Sequence, residues 1–424
     1  MPGEIPQSPF EYDFDKGGRY PNDIRNKTPK PSILDGVRIL DFSQVLSGPY
    51  CTRLLADMGA EVIKVERPPL GDGARSWPAI KHGRSGAFLQ FNAGKKGICL
   101  DLKKLKAIKI VKDLVKKCEV VVENFNVRAM ARLGLSYREL NKVNPRLIMC
   151  SITGFGQTGP NKSRLAFATV VHAASGITEI LRRQHGEDIR PAPHGLSIGD
   201  TLAGYHAAYA IMAALFYRER TGKGQYIDIS MFDSLFFSID HQVQYYLMTG
   251  EEHTVYGAVP VKRKDGYFTI GYGKYEMILR TLECIGKPEL ANDERFSSLE
   301  KVIFHQKEFF QLVEEWAQNY GSVEEVEALL RQAGLAVSKV CSVPEVVHSP
   351  QVESRGLLAE VDDPKIGKVK VINSPFKLSE TESHLRGPSP GLGEHNKEIL
   401  SRLLHYSNEE IEKLYAEGVL FCKA

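Results

Sequence analysis

Between Gly36 and Phe155 the chain repeats one pattern: a short run dense in Val, Ile and Leu, a polar turn, then a helical stretch. The runs are VRILDF (37–42), EVIKVE (61–66), GICLDL (97–102), VVVEN (120–124) and RLIMCSITGF (146–155). Strands that are apolar at nearly every position are buried on both faces, which happens where helices cover both sides of a parallel sheet. GPYCTRLLADMG (48–59), closed by Gly59, and the lysine-bearing stretch 103–117 supply such helices. A further helix over about 200–220, the turn TGKG and the strand QYIDISM (225–231) extend the series. The alternation predicts an α/β fold with a doubly wound, mostly parallel, Rossmann-like sheet.

At 424 residues the chain is long enough for more than one domain. Residues 1–33, rich in Pro, Asp, Asn and Lys, read as an N-terminal tail, and 34–232 as the large α/β domain. A linker helix is expected over 233–254. A smaller α+β domain follows over 255–335, with the strand GYFTIGY (266–272) and amphipathic helices at 274–285, 306–318 and 323–332. Residues 336–424, with KVKVINSP and NKEILSRLL, read as a linker and a C-terminal return to the large domain.

Lys+Arg total 55 and Asp+Glu 52, a formal charge of +3, so no basic excess points to nucleic acid. The seven cysteines are scattered without a CxxC or CxxH pair, which predicts cytoplasmic thiols, no disulfide frame and no metal site. The most apolar stretch, Tyr205 to Tyr217, is interrupted by His206 and is too short for a bilayer, so no membrane partner is expected. The first residues are acidic and proline-rich where an export signal would be basic and then apolar. GxGxxG, GxxxxGK[ST], HExxH and GxSxG are all absent, which weighs against nicotinamide oxidoreductases, P-loop nucleotidases, zinc proteases and α/β-hydrolases. A small-molecule partner remains.

Open α/β sheets bind ligands beyond the carboxyl ends of their strands. There the sequence places Gln44, Val45, Leu46 and Ser47 before the helix-opening Gly48-Pro49, Arg67 after the second strand, Lys103 after the third, and Asn124 and Phe125 after the fourth. Two cations, an amide and a ring at successive strand ends suit a phosphate-bearing nucleotide. Asp200, in LSIGDTLAG, reads first as a helix N-cap, and a nucleophilic or acid–base carboxylate is the other reading its position allows. Trp77, in GDGARSWPAI, is either a pocket ring or surface packing; His172 reads as a core histidine and His395 as a helix cap.

Taken in order, LDGVRILDFSQVLSGPYCTRLLADMGAEVIKVERP, GDGARSW, FNAGKKGICLDLK, VVENF, ARLG, NPRLIMCSITGFGQTGP, IGDTLAG, AALFYRERTGKGQYIDISMFDS and LGEHNKEIL resemble the family III coenzyme A transferases, the group of formyl-CoA:oxalate and carnitine CoA-transferases. The resemblance runs from about Leu34 to the C-terminus. It implies that Asp200 is the nucleophile, forming acyl-aspartyl anhydride and aspartyl-CoA thioester intermediates without ATP. It implies further that Leu46 and Ser47, with Gln44 and Val45 on the same loop, lie against CoA, and that Arg67, Lys103 and Arg132 meet its adenosine and phosphates. Asn124 and Phe125 would form a pocket wall, Trp77 an aromatic near the acyl group, and Arg75 a partner for a substrate carboxylate. Coenzyme A and acyl-CoA enter as substrates, with a carboxylic acid as acceptor. Succinyl-CoA and a larger dicarboxylic or aromatic acid such as benzylsuccinate are the expected pair. Family members form interlocked dimers, so a homodimer or a heteromer with a paralogous subunit is expected.

Two departures stand out. The glycine-rich loop that covers the aspartate in the formyl-CoA enzymes has no counterpart, TVYGAV (254–259) being nearest, and a position that is often acidic is Ala168. The alternatives are an α-methylacyl-CoA racemase, disfavoured because Phe167 stands where a proton-carrying histidine is needed, and a weakly active subunit of a hetero-oligomer, disfavoured by the retained Asp200.

Overall fold

A computed structural model describes residues 30–185, 190–191, 195–252 and 260–423. The chain divides into two compact units. The first holds the residues up to Val171, Leu196–Leu235 and Gly356 onward; the second holds His172–Gly195 and Phe236–Arg355.

The first unit is built on six strands: β1 (Arg38–Asp41), β2 (Glu61–Glu66), β3 (Lys96–Cys99), β4 (Val120–Glu123), β5 (Ile148–Thr153) and β6 (Tyr226–Ser230). They pair in the order β3-β2-β1-β4-β5-β6, every pair parallel. The order in which strands are added reverses between β1 and β4, the switch point at which doubly wound sheets open a crevice. Asp41, the last residue of β1, lies in register with Lys64 of β2 and Val122 of β4.

Five helices matter for the site: α1 (Ser47–Asp57), α2 (Leu105–Val115), α3 (Ile198–Thr221), α4 (Asn396–Leu404) and α5 (Asn408–Ala416). One sheet face presents Leu40, Ile63, Ile98, Val121 and Met149 to Ile110 and Leu114 of α2, Ile399 and Leu403 of α4 and Ile411 of α5. The C-terminal segment thus returns to the large unit. Asn396 ties it to β3, accepting from the Cys99 N–H at 2.9 Å and donating to the Phe421 carbonyl at 2.9 Å. The opposite face carries α1 and α3, which pack against each other. α3 turns Ala203, Gly204, Ala207 and Ala208 inward. A Cβ on Gly204 would lie 2.8 Å from the Ser47 carbonyl oxygen, so only glycine lets the two helices approach this closely.

The second unit pairs β7 (Val261–Arg263), β8 (Gly266–Gly271) and β9 (Ala336–Lys339) in an antiparallel sheet, with helices Tyr275–Cys284, Gln306–Ala317 and Val323–Gln332. Phe268, Leu282, Phe296, Phe309, Val313 and Leu330 form its core. Residues 336–339, read from sequence as linker, complete this sheet because β8 needs a partner on that edge. The linker helix expected over 233–254 is, among the described residues, two helices, Met231–Ser238 and Asp240–Thr249, parted at Ile239. A hairpin of β10 (Leu358–Asp363) and β11 (Gly367–Ile372) belongs to the first unit, where Asp363 and Arg84 form a buried ion pair at 2.6 Å.

Most of the expected tail and the whole of TVYGAV lie outside the described residues. Among the described residues no helix is long and apolar enough to cross a membrane, and no group of three His, Cys, Asp or Glu could hold a metal ion.

Candidate active site

Asp200 sits in the first turn of α3, inside the helix rather than at its N-cap, which is Ser197. The N-cap position that would explain it structurally is held by another residue, although the Ser197 side chain makes no capping hydrogen bond. Its carboxylate accepts hydrogen bonds from the backbone N–H and the hydroxyl of Ser47, the first residue of α1. Burial pushes its pKa up to about 6, and the two Ser47 donors hold it from rising further.

The turn that delivers Ser47 is determined by side chains from four strand ends. Asp41 accepts from the Ser43 N–H at 2.9 Å and from the Ser43 hydroxyl. Gln44 and Asn124 pair as two backbone segments would: the Gln44 N–H donates to Asn124 Oδ1 at 2.8 Å, and Asn124 Nδ2 donates to the Gln44 carbonyl at 2.7 Å. Val45 is left-handed, φ 68°, and its N–H donates to Asp72 Oδ1 at 2.9 Å. Gly48 then passes so close to Ser43 that a Cβ would stand 2.2 Å from the Ser43 Cβ.

Beneath this turn lie two buried lysines. Lys64 Nζ contacts Asp72 Oδ2 at 2.9 Å and donates to the Ser43 carbonyl at 2.8 Å. Lys95 Nζ donates to Asp41 Oδ2 at 3.0 Å, Thr52 Oγ1 at 2.7 Å, Asn92 Oδ1 at 3.0 Å and the Pro49 carbonyl at 3.0 Å. Burial pulls the Lys95 ammonium down to about 8, against the pull of Asp41. Burial would raise the Asp41 carboxyl, but the two lysine cations and the Ser43 and Thr52 hydroxyls outweigh it and hold it below the usual range.

The structure brings together Asp200, Gln44, Val45, Leu46, Ser47 and Asn124. Phe125 packs on the α2 side of the core, its N–H donating to Glu123 at 2.8 Å. Arg67, Lys103 and Arg132 are exposed and follow β2, β3 and β4 at the carboxyl edge. Trp77 is half-buried at the end of the short Gly73–Ser76 turn. Arg75, expected to meet a substrate carboxylate, is engaged otherwise: it grips Glu66 through two contacts at 2.8 and 2.6 Å and the Pro390 carbonyl at 3.1 Å, over the Phe88 ring at 3.7 Å. Glu66 ends β2 in a buried position and needs that cation. Phe167 is 74% exposed, its carbonyl accepting from the Val170 and Val171 N–H groups, and Ala168 is buried.

Sequence reasoning passed over Asp41, Lys64, Asp72, Lys95 and the Ser47 hydroxyl. A signal was present: Lys64 interrupts the apolar run EVIKVE and Asp41 interrupts VRILDF. Charged residues inside runs buried on both faces require partners, which marks them as members of a network.

The sequence profile of CoA-transferase family III matches residues 34–396. Succinyl-CoA:glutarate CoA-transferase of Mus musculus is 36% identical, the alignment covering 91% of this chain and 90% of the mouse protein. Succinyl-CoA–D-citramalate CoA-transferase of Chloroflexus aurantiacus is 33% identical over 92% of this chain and 98% of its own. Among solved structures, a CAIB/BAIF family protein from Brucella suis superposes with a TM-score of 0.77 at 31% identity, over 88% of this chain and 100% of that one.

Three variants test this geometry. Lys64→Met leaves Asp72 buried without its cation, so chemical denaturation should show a loss of about 3–5 kcal/mol. Lys64→Met/Asp72→Asn, which removes the orphaned charge and keeps the acceptor for Val45, should recover part of it. Asp200 is ionised at a cost in the folded state because its pKa, about 6, exceeds the ordinary 3.8. That cost is full above pH 6 and vanishes below about 4. Asp200→Asn should therefore be more stable than the parent by roughly 1–3 kcal/mol at pH 7.5, with the two curves converging as pH falls.

Proposed function

The chain belongs to CoA-transferase family III, and from that premise we propose that it moves coenzyme A from succinyl-CoA to a dicarboxylic acid through covalent intermediates on Asp200. The observation that carries the reading is the Asp200 carboxylate, half-buried at the switch-point edge of the sheet and accepting two hydrogen bonds from one residue of the facing helix. Burial strips water from the carboxylate and raises its basicity, while the two donors keep it in one orientation; both favour attack on a bound thioester.

In this reading Asp200 attacks the acyl carbon of the donor, the C–S bond breaks, and CoA leaves as thiolate from an acyl-aspartyl anhydride. The thiolate attacks the aspartyl carbonyl, releasing the donor acid and leaving aspartyl-CoA thioester. The acceptor carboxylate displaces CoA to form a second anhydride, which the thiolate opens at the acceptor's carbonyl, regenerating Asp200. Each step exchanges one activated acyl bond for another, so no ATP is consumed. Arg67, Lys103 and Arg132, the exposed cations at the carboxyl edge, bind the CoA phosphates, and Leu46, Ser47 and Asn124 line the path to Asp200.

Succinyl-CoA is supported as donor by the activities for which the mouse and Chloroflexus relatives are named, and a dicarboxylate acceptor by the same names. The racemase alternative finds no support, because Phe167 offers a ring that carries no proton. An interlocked dimer is the proposed assembly. Phe237, Met248 and Tyr209 expose 72%, 78% and 78% of their surface on the single chain, in keeping with apolar surfaces that a second chain covers.

Mass spectrometry after incubation with succinyl-CoA and hydroxylamine should find a hydroxamate at Asp200, and Asp200→Ala should abolish transfer while CoA binding stays nearly unchanged. Substantial turnover by that variant removes Asp200 as nucleophile. Across succinate, glutarate, citramalate, mesaconate, benzylsuccinate, oxalate and carnitine, a dicarboxylate of the succinate–glutarate type should have the highest kcat/KM. Preference for oxalate or carnitine would sink the substrate assignment. Light scattering on dilution should show a dimer that does not separate into folded monomers.

A further inference from the structure

The orientation of the Ser47 hydroxyl is fixed by groups that lie outside the covalent chemistry. Its oxygen accepts from Asn124 Nδ2 at 3.3 Å, which leaves its proton for its other partner, the Asp200 carboxylate. The Asn124 amide cannot turn over, because the Gln44 N–H requires its oxygen and the Gln44 carbonyl its nitrogen. The polarity of the relay is therefore single: Gln44 backbone sets Asn124, Asn124 sets Ser47, and Ser47 donates to Asp200. Ser47 is nearly fully buried, so no competing water is needed to satisfy the hydroxyl.

We infer that the Ser47 hydroxyl is a catalytic group for the charge that appears on the Asp200 oxygen in the two exchanges at the aspartyl carbonyl, formation of the aspartyl-CoA thioester and its attack by the acceptor, with Asn124 as the residue that positions it. This rests on the reading of Asp200 as nucleophile. When the acceptor carboxylate attacks the aspartyl-CoA carbonyl carbon, an oxygen lone pair forms the new C–O bond and the carbonyl π pair withdraws onto the Asp200 oxygen. That oxyanion then re-forms the double bond as the C–S bond breaks, and the electron pair leaves on sulfur as CoA thiolate. Ser47 keeps its proton throughout and gives only a hydrogen bond. The same donor that faces the resting carboxylate faces the oxyanion, in place before the charge develops, which is the condition under which such donors lower barriers most. Because the missing glycine-rich loop leaves the oxyanion role unassigned in this chain, a side-chain donor on α1 fills a function the sequence left open.

The test uses the purified full-length chain with succinyl-CoA and its best acceptor. Ser47→Ala should lower kcat by about 10- to 100-fold, at or below the range for loss of one oxyanion donor, with KM for the acyl-CoA within about twofold. Ser47→Thr, which keeps the hydroxyl, should recover most of the rate. Asn124→Ala should lower kcat in the parent but add little to Ser47→Ala, the non-additivity expected of a relay. Thermal melts and CoA titrations on each variant report folding and binding separately. A Ser47→Ala enzyme within about threefold of the parent kcat, a Ser47→Thr enzyme as slow as Ser47→Ala, or fully multiplicative losses for Asn124 and Ser47 would each overturn the inference while hydroxylamine capture at Asp200 stands. Absence of any capture at Asp200 in an active parent overturns the nucleophile and this inference together.

Discussion

Four charges sealed beneath one turn are the constraint on which the rest of the site depends. In the Lys64–Asp72 and Lys95–Asp41 pairs all four side chains are wholly inaccessible, a placement that costs several kcal/mol per ion before any attraction is counted. Such pairs add little net stability over an apolar core; what they confer is a single conformation. Each charge has further hydrogen-bonding capacity, and the turn uses it: Lys64 takes the Ser43 carbonyl, Lys95 the Pro49 carbonyl, Asp41 the Ser43 N–H and Asp72 the Val45 N–H. A turn that drifted would leave buried charges unsatisfied, so residues 43–49 have one low-energy path. That path holds Val45 in its left-handed conformation and starts α1 at Ser47.

From there the consequences run to Asp200. The order β3-β2-β1-β4-β5-β6 puts the reversal between β1 and β4, so the turn after β1 and Asn124 after β4 necessarily meet at the crevice. Gly204 lets α3 lie against the first turn of α1, and Asp200, one turn earlier on α3, reaches Ser47. The packing that brings the carboxylate to its donors is also what desolvates it. One arrangement therefore both raises the pKa to about 6 and limits the rise. A more exposed aspartate would be a weaker base, and one buried without donors would spend most of its time protonated near neutral pH.

The second unit and the C-terminal return are organised differently. The former has its own aromatic core around Phe268, Phe296 and Phe309. The latter is anchored by groups of high sequence separation, Arg84 to Asp363 and Asn396 to Cys99, which link residues hundreds of positions apart. Such links leave no local pattern, which is why residues 336–339 read as linker while their real partner was Gly266–Gly271.

By itself the sequence determined what depends on periodicity and local chemistry: the parallel strands, from runs apolar on both faces; the helix starts and stops; and the order of motifs that resembles a transferase family with its Gly199-Asp200. Asp200 was legible only as one of two roles on residue chemistry, since an aspartate entering an apolar helix is ambiguous until the true N-cap, Ser197, is seen. For Arg75 the sequence shows that a cation is near the edge of the sheet but not that it pairs with Glu66. What only the tertiary structure decided was the set of partners: Lys64 with Asp72, Lys95 with Asp41, Asn124 with Gln44 and Ser47, Ser47 with Asp200. The reason is physical. Strand and helix propensities act over a few residues and are written locally, whereas the cost of a buried charge or hydroxyl is relieved only by whichever groups the fold brings within about 3 Å, and those come from different strands and helices.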